Sequence, residues 1–350
     1  MIGAAGDARA RGVHGGDLAT RLATFKNGRR VAVVLPALDE EATIGPLVAG
    51  LIRFTGGSDA LVDDVVVLDS GSTDRTAERA TAAGARVLSR ERALPGVPVL
   101  PGKGEAMWRA VLAVGEGTAP PDLVCFVDAD LVDPHPDLVP RLLAPLLTRP
   151  DTALVKGYHR RPLDSGDGHE GGRVTELLAR PLLAAFRPGL RHVRQPLGGE
   201  YAATRELLDQ LPFATGYGVD IGLLLDAVTL RGPGVVDQVD LGVRRHRNRP
   251  VHELARTSRE VLATALDRCG VPDSGAGLVG FLPAAADDAD ETDATDATDA
   301  TDVPGWHTET HPLVQVDRPP PGEVRAGRPA GQGRPGPAGP RGVGTAVAGS

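Results

Sequence analysis

Unbroken hydrophobic runs alternate, along the first half of the chain, with segments whose apolar residues recur at helical spacing. Val31-Ala32-Val33-Val34-Leu35 is a continuous apolar run stopped by Pro36, which predicts a strand buried on both faces. After Asp39-Glu40-Glu41-Ala42-Thr43 come Ile44, Leu47, Val48, Leu51 and Ile52 on one helical face. The acidic residues ahead of that helix suit the positive end of its dipole. The unit then repeats. Asp64 to Asp69 predicts a second strand, Ser70 to Asp74 a turn, and a helix starts near Arg75. Val87-Leu88 begins a third short strand, and Gly102-Lys103-Gly104-Glu105 opens a helix carrying Met107, Val111, Leu112 and Val114. Leu123 to Val127 is a fourth strand that runs into Asp128-Ala129-Asp130.

The second half is less regular. Thr152 to Tyr158 and Val235 to Val243 read as strands. Arg173 to Phe186, Arg205 to Leu211, Ile221 to Leu230 and Val251 to Cys269 read as helices. Strands alternating with helices predict an α/β fold with a mostly parallel sheet flanked by helices, and a more helical second half. In such sheets ligands bind at the carboxyl ends of the strands, where the polar clusters fall.

Composition changes this picture mainly at the ends. Glycine (45) and proline (30) are abundant among the 350 residues. Residues 1–15 are small, polar and Gly-rich, residues 287–302 hold eight acids and no base, and residues 318–350 are rich in Pro, Gly and Arg. Such segments predict disorder over 1–15 and 282–350, with the globule ending near Phe281. The body then divides into a regular first half over 16–150 and a less regular second half over 151–281. The net charge of −8 is concentrated in the tail, so the body lacks the strongly basic footprint of a nucleic-acid binder. No apolar run reaches the roughly 20 residues of a bilayer span, and the N-terminus has no signal-peptide core. The expectation is a soluble cytoplasmic protein without a membrane partner. Cys125 and Cys269 are too few for a disulfide framework or a thiolate zinc site and read as buried free thiols.

Five motifs carry candidate chemistry. Two carboxylates, Asp128 and Asp130, at the end of a buried strand would be costly unpaired. A divalent cation with hard oxygen ligands, Mg²⁺ or Mn²⁺, removes that cost. A turn or helix cap ahead of Asp133-Pro134 is the competing reading. Asp69 to Asp74 would allow close approach of a ligand, with Asp69 accepting from a base N–H, but by itself it fits better a plain helix start capped by Ser72 or Thr73. Lys103 between two glycines at a helix start suits a phosphate. Gly171-Gly172-Arg173-Val174-Thr175-Glu176 offers amides, a guanidinium and a hydroxyl to an anion, or else a capping box. Arg244 to Arg249 follows a strand, and His246 within it could ligate metal.

Together the motifs resemble GT-A glycosyltransferases, whose Rossmann-like half carries a Pro-x-x-Asp/Asn-Glu-Glu loop and a metal-binding Asp-x-Asp. Here these are Pro36 to Glu41 and Asp128-Ala129-Asp130. The segments Gly171 to Leu178, Gln195 to Tyr201, Gly216 to Gly222 and His246 to Pro250 are similar to the glucosyl-3-phosphoglycerate synthase family, and the resemblance spans roughly residues 20–280.

The resemblance implies a retaining hexosyltransferase that moves glucose from UDP-glucose to the 2-hydroxyl of 3-phosphoglycerate with Mg²⁺, as a homodimer. It places Pro36, Ala37, Leu38, Glu40, Asp69 and Ser70 at uridine and ribose, and Lys103 near the nucleotide. Asp130 and His246 would bind metal. Asp128 and Ala129 would meet the ribose or glucose, and Tyr217 and Asp220 the sugar. Gly172, Arg173, Thr175 and Asn248 would hold the acceptor. Asp220, Asp128 and Arg244 are the candidate catalytic residues. A double displacement would need a carboxylate nucleophile, for which Asp220 is the candidate; front-face attack, with Asp220 orienting sugar hydroxyls, is favoured. Asp220 stands where the family usually has Glu, Asp39 where it has Asn, and Ala129 where it has Ser. Rival readings are a related transferase using GDP-mannose, GDP-glucose or a lipid phosphate, a nucleotidylyltransferase, and a non-catalytic sugar-binding scaffold. The acidic Pro36–Glu41 loop opposes the nucleotidylyltransferase, and the paired aspartates oppose the scaffold.

Overall fold

In a computed structural model of the chain, the described residues are 15–57, 60–116, 119–160, 172–244, 251–283, 306–313, 316–327 and 329–330. The N-terminal segment 1–14, the Gly/Asp/Ser stretch 163–170, the Ala-Thr-Asp repeats and residues 331–350 lie outside them.

Helix α1 (Gly15–Ala23) leads into β1 (Val31–Ala37), α2 (Ile44–Ile52), β2 (Asp64–Asp69), α3 (Thr76–Ala82), β3 (Arg86–Ser89), α4 (Arg90–Ala93), α5 (Lys103–Val114), β4 (Leu123–Phe126) and α6 (Leu138–Thr148). The second half adds β5 (Leu154–Arg160), α7 (Arg180–Phe186), β6 (Tyr201–Thr204), α8 (Arg205–Leu208), β7 (Phe213–Ala214), α9 (Val219–Arg231), β8 (Val236–Val243) and α10 (Val251–Cys269).

Seven of these strands form one sheet in the order β3-β2-β1-β4-β6-β5-β8. The pairs β1–β2, β1–β4, β2–β3 and β5–β8 are parallel, and β6 is antiparallel to both β4 and β5. Strands from both sequence halves therefore share one sheet. Successive residues of a strand face opposite sides. Ala32, Val34, Val66, Leu68, Val124 and Phe126 pack on one side with Met107, Trp108 and Val111 of α5 and with α9. Val31, Val33, Leu35, Val65, Val67 and Cys125 pack on the other side with α2 and α6. Two covered faces explain why β1, β2 and β4 read as unbroken apolar runs. Cys125 is buried as expected, and Cys269 is half-buried.

The chain does not stop contributing near Phe281. Strand β9 (Leu278–Pro283) pairs with β10 (Trp306–His311). Beyond it β11 (Asp317–Arg318) pairs with β7, and α11 (Pro321–Arg325) follows. Arg318 is 3% exposed, and Trp108 Nε1 donates to the Pro319 carbonyl at 2.8 Å. The expectation of a disordered tail from 282 is thus corrected for residues 306–313 and 316–327. Composition misses this segment because it holds on through a buried arginine, backbone pairing and Pro321 rather than an aliphatic face.

Candidate active site

The carboxyl ends of β1, β2 and β4 and the amino ends of α5 and α9 meet on one edge of the sheet. There the loop after β1 is stitched to the loop after β2. The Asp39 amide donates to Ser72 Oγ (3.0 Å), the Thr73 amide to Asp39 Oδ1 (2.7 Å), the Glu40 amide to Thr76 Oγ1 (2.8 Å) and the Glu41 amide to Asp74 Oδ2 (3.0 Å). Ser70 N donates to the Ala37 carbonyl, and Ser72 N to Asp69 Oδ1. Asp39 takes a left-handed φ of 54°, a conformation that Asp and Asn tolerate better than other non-glycine residues. Asp74, rather than Ser72 or Thr73, serves the start of α3, accepting from the amide and hydroxyl of Thr76. Pro36, Ala37, Leu38, Glu40, Asp69 and Ser70 lie along this pair of loops, with Leu38 54% exposed.

Two amides at the amino end of α5 are taken by backbone carbonyls. Gly104 N and Glu105 N donate to the carbonyls of Gly216 and Thr215. The glycines permit that approach: a Cβ on Gly104 would lie 1.8 Å from the Ala214 carbonyl oxygen, and Gly102 has φ 110°. The expected phosphate cradle is therefore a packing joint between α5 and the segment leading into α9. Its functional product is the Lys103 side chain. Lys103 Nζ lies 2.8 Å from Asp128 Oδ1 and 3.1 Å from Asp220 Oδ2. Burial alone would lower the Lys103 pKa, but the two carboxylates outweigh it and hold the ammonium charged. Burial pushes the Asp220 carboxyl upward against Lys103 and Lys156, and Asp128 adds to the rise. Asp220 Oδ1 is buried without a hydrogen-bond partner among the described residues.

Asp128 also faces Arg244, which stands at 3.7 Å from its Oδ2, 2.8 Å from Asp130 Oδ1 and 3.0 Å from Glu200 Oε1. Glu200 is fully buried. Burial would raise its pKa, but Arg244 and then His159, whose Nε2 lies 3.3 Å away, hold it well below the carboxylate range. Asp128 sits over Gly199, where a Cβ would come within 2.2 Å of its oxygens. Behind it, Lys156 Nζ donates to the Gly198 carbonyl at 2.6 Å and stacks 4.2 Å over the Tyr201 ring. Burial lowers the Lys156 pKa to about 8.

The paired aspartates are thus offset by two protein cations, where the sequence alone suggested a metal. Among the described residues no three metal-ligating side chains cluster. The donor set still fits one hard cation. Asp130 is 39% exposed and spends one oxygen on an exchangeable arginine. Mg²⁺ commonly takes one or two carboxylates and completes its shell with substrate phosphates. His246 and Asn248 lie outside the described residues. Thr175 is buried at the start of a π-helical turn (Thr175–Ala179) that runs into α7, and Gly172 and Arg173 precede it half-buried. No side-chain cap bond closes that turn at Val174. Tyr217 is exposed just ahead of α9, its amide donating to Glu260 Oε2 of α10 at 2.8 Å.

Residues 32–217 match the model of glycosyl transferase family 2. The chain is 58% identical over 270 residues to glucosyl-3-phosphoglycerate synthase of Mycolicibacterium smegmatis, covering 76% of this chain and 86% of the relative. The chain belongs to this family. Crystal structures of the Mycobacterium tuberculosis synthase agree, at 51% identity. One, with Mn²⁺, UDP-glucose and phosphoglyceric acid, has a TM-score of 0.73 and covers 88% of this chain and 95% of that one. Another, with Mg²⁺ and UDP, has a TM-score of 0.75 and covers 90% and 97%. The GT-A fold of the family is the fold described above.

Sequence reasoning, through the resemblance, picked out Lys103, Asp128, Asp130, Asp220 and Arg244 as separate nucleotide, sugar, metal and catalytic candidates; in the structure they lie in one cluster. It did not find Lys156, His159 or Glu200 as members of the same network. The available signal was a charge inside an apolar strand, Leu154-Val155-Lys156-Gly157, since a buried Lys is rare unless paired.

Proposed function

We propose that this chain transfers glucose from UDP-glucose to the 2-hydroxyl of 3-phosphoglycerate, with Mg²⁺ or Mn²⁺ and with retention of anomeric configuration. The observation that carries the reading is the convergence of Lys103, Asp128, Asp220, Arg244 and Asp130 at the strand ends, in a chain 51% identical to a protein crystallised with UDP-glucose and phosphoglyceric acid.

The stitched loops after β1 and β2 present Pro36, Ala37, Leu38, Glu40, Asp69 and Ser70 to uridine and ribose. Asp130 and His246 hold the divalent ion, which when bound offsets the charge that develops on the departing UDP. Lys103 and Arg244 supply positive charge beside the same diphosphate, in a partly water-excluded site where it counts for more. Asp128 and Ala129 face the ribose or glucose. Asp220, with one oxygen bound by Lys103 and the other unpartnered, accepts from a glucose hydroxyl, and Tyr217 lies beside it. A carboxylate pinned by an ammonium is a poor nucleophile, which favours attack of the acceptor hydroxyl on the face that UDP leaves. Gly172, Arg173, Thr175 and Asn248 hold the acceptor phosphate and carboxylate; an arginine at a helix start suits both.

The homodimer expected from the family is supported by the β9–β10 ribbon, which stands apart from the main sheet and leaves Phe281 and Trp306 about half exposed. Two-stranded ribbons are marginal alone. A monomeric mass by light scattering would remove this reading. Two unpaired cysteines fit a cytoplasmic setting. No helix among the described residues is long and apolar enough to cross a membrane.

The test is release of nucleoside diphosphate from UDP-glucose with Mg²⁺, with and without 3-phosphoglycerate. Release that requires both substrates is expected. Release independent of acceptor would reopen the acceptor assignment, and release only from GDP-glucose or GDP-mannose would replace the donor.

A further inference from the structure

We infer that Arg318, on the C-terminal strap 316–327, is a positioning residue for the donor side of the active site. The inference rests on the transfer reading above. The strap crosses the molecule where α5 and the segment leading into α9 meet, and it grips both.

On the α5 side, Arg318 Nε and Nη2 donate to Glu105 Oε2 and Oε1 at 2.6 and 2.7 Å. Glu105 is two residues after Lys103 and is 1% exposed. Its Oε1 also accepts from Arg109 Nε at 2.7 Å. Arg109, fully buried, spends its remaining donors on the carbonyls of Arg90, Leu94, Val97 and Pro98. Arg318 itself reaches the Pro98 carbonyl at 2.6 Å and lies 4.9 Å over the Trp108 ring. A buried carboxylate held between two guanidiniums fixes the first turn of α5 in rotation as well as position, because bidentate geometry admits one orientation.

On the α9 side, β11 pairs with β7 in the register Asp317–Ala214 and Arg318–Phe213. Thr215 N donates to the Val316 carbonyl at 3.0 Å. The carbonyls of Thr215 and Gly216 then accept from Glu105 N and Gly104 N. Tyr217 and Asp220 follow within five residues. Asp317 also pairs with Arg268 of α10 at 2.6 Å, so the strap is anchored at both ends of this joint.

Lys103 and Asp220 are the two halves of one ion pair, and each is carried by a segment the strap holds. The acceptor residues 172–175 belong to a different element. Loosening the strap should therefore misplace the donor machinery selectively. A small misplacement at a distance can cost roughly 10²-fold in rate.

The experiment is steady-state kinetics of full-length Arg318→Met, with both substrates varied. The expected result is a raised KM for UDP-glucose that takes its kcat/KM down by about 10- to 100-fold, an unchanged KM for 3-phosphoglycerate, and partial recovery in Arg318→Lys. Should Arg318→Met fail to fold, Arg318→Lys, which keeps the buried charge but gives up the bidentate fork on Glu105, is compared with wild type in the same way, and a smaller change of the same sign is expected. A folded variant with unchanged donor kcat/KM would overturn the inference. So would a drop in kcat alone at unchanged KM for both substrates, the signature of a smaller folded fraction. Wild-type enzyme that transfers nothing from UDP-glucose would instead overturn the functional reading, and the inference with it.

Discussion

The stitched loops after β1 and β2 and the cluster around Asp128 share one edge of one sheet, yet they satisfy their carboxylates differently. In the loops, Asp39, Asp69, Asp74 and Glu41 accept from backbone amides. In the cluster, Asp128, Asp130, Asp220 and Glu200 are matched by Lys103, Arg244 and their neighbours. A backbone amide cannot leave its carboxylate without unmaking the loop. A side-chain cation can turn to a diphosphate while its carboxylate turns to a metal or a sugar. The first region is scaffold and the second is exchangeable chemistry. Changes in the cluster should therefore cost turnover, and changes in the loops should cost stability.

Asp130→Ala probes the exchangeable side most sharply. Loss of one preorganised electrostatic group typically costs about 10²- to 10³-fold in kcat, and metal-dependent release of UDP should fall by that much. The melting temperature should hardly move, because Arg244 keeps Glu200 and Asp128 as partners. Full activity in this variant would remove Asp130 from the metal site. Arg173→Ala tests whether the acceptor segment stands apart from both regions. A charge-assisted hydrogen bond contributes roughly 1.5–3 kcal/mol, so the KM for 3-phosphoglycerate should rise by about 10- to 100-fold with little change for UDP-glucose. The reverse pattern would move Arg173 to the donor.

Lys156 lies beneath the cluster, and its contribution is read through pH. Its folded pKa of about 8 is below the ordinary 10.5, so between those values the unfolded chain keeps a proton that the folded chain has released. Stability that depends on this group rises with pH across that window. The penalty of burying the ammonium is fully present below pH 8 and is relieved toward 10.5. Urea unfolding of wild type against Lys156→Met should show a stability difference that moves in favour of wild type over this range. A constant difference would show that Lys156 is not the group.

How much of this was readable in advance divides along the same line. The strands β1, β2 and β4 were legible because each is an apolar run closed by a polar turn, and Asp128 and Asp130 were legible because they end such a run. Those signals are local. Glu200 and Arg244 meet across 44 residues, and Arg318 and Glu105 across 213; no spacing encodes such pairs. β6 was missed because Tyr201-Ala202-Ala203-Thr204 is short and weakly hydrophobic, and its antiparallel insertion beside β4 is a tertiary fact. Helix α6 went unread although Leu138, Val139, Leu142, Leu143 and Leu146 share a face, because Pro140 and Pro145 lie within it. Gly102-Lys103-Gly104 suits a phosphate only weakly in sequence, because glycine before a helix fits either an anion or a close backbone. Only the carbonyls of residues 214–216 decide between them.

Thr76→Val is the mildest test and the one that isolates the scaffold. Thr76 is fully buried, accepts from the Glu40 amide at 2.8 Å and donates to Asp74. Valine keeps the volume and the branching but leaves that amide without its acceptor. An unmade hydrogen bond of this kind costs about 1–3 kcal/mol. The expected result is a loss near the lower end of that range in urea unfolding, at an unchanged slope, because the loop after β1 can relax toward solvent on its Leu38 side. Turnover at saturating UDP-glucose should stay within about twofold, since the cluster of Lys103, Asp128 and Arg244 keeps every partner and a loop slackened by ~1 kcal/mol still closes on bound nucleotide. A large fall in kcat with no loss of stability would mean that Thr76 or the Glu40 amide works on the substrate directly, and the division between scaffold and exchangeable charge would have to be redrawn through this loop.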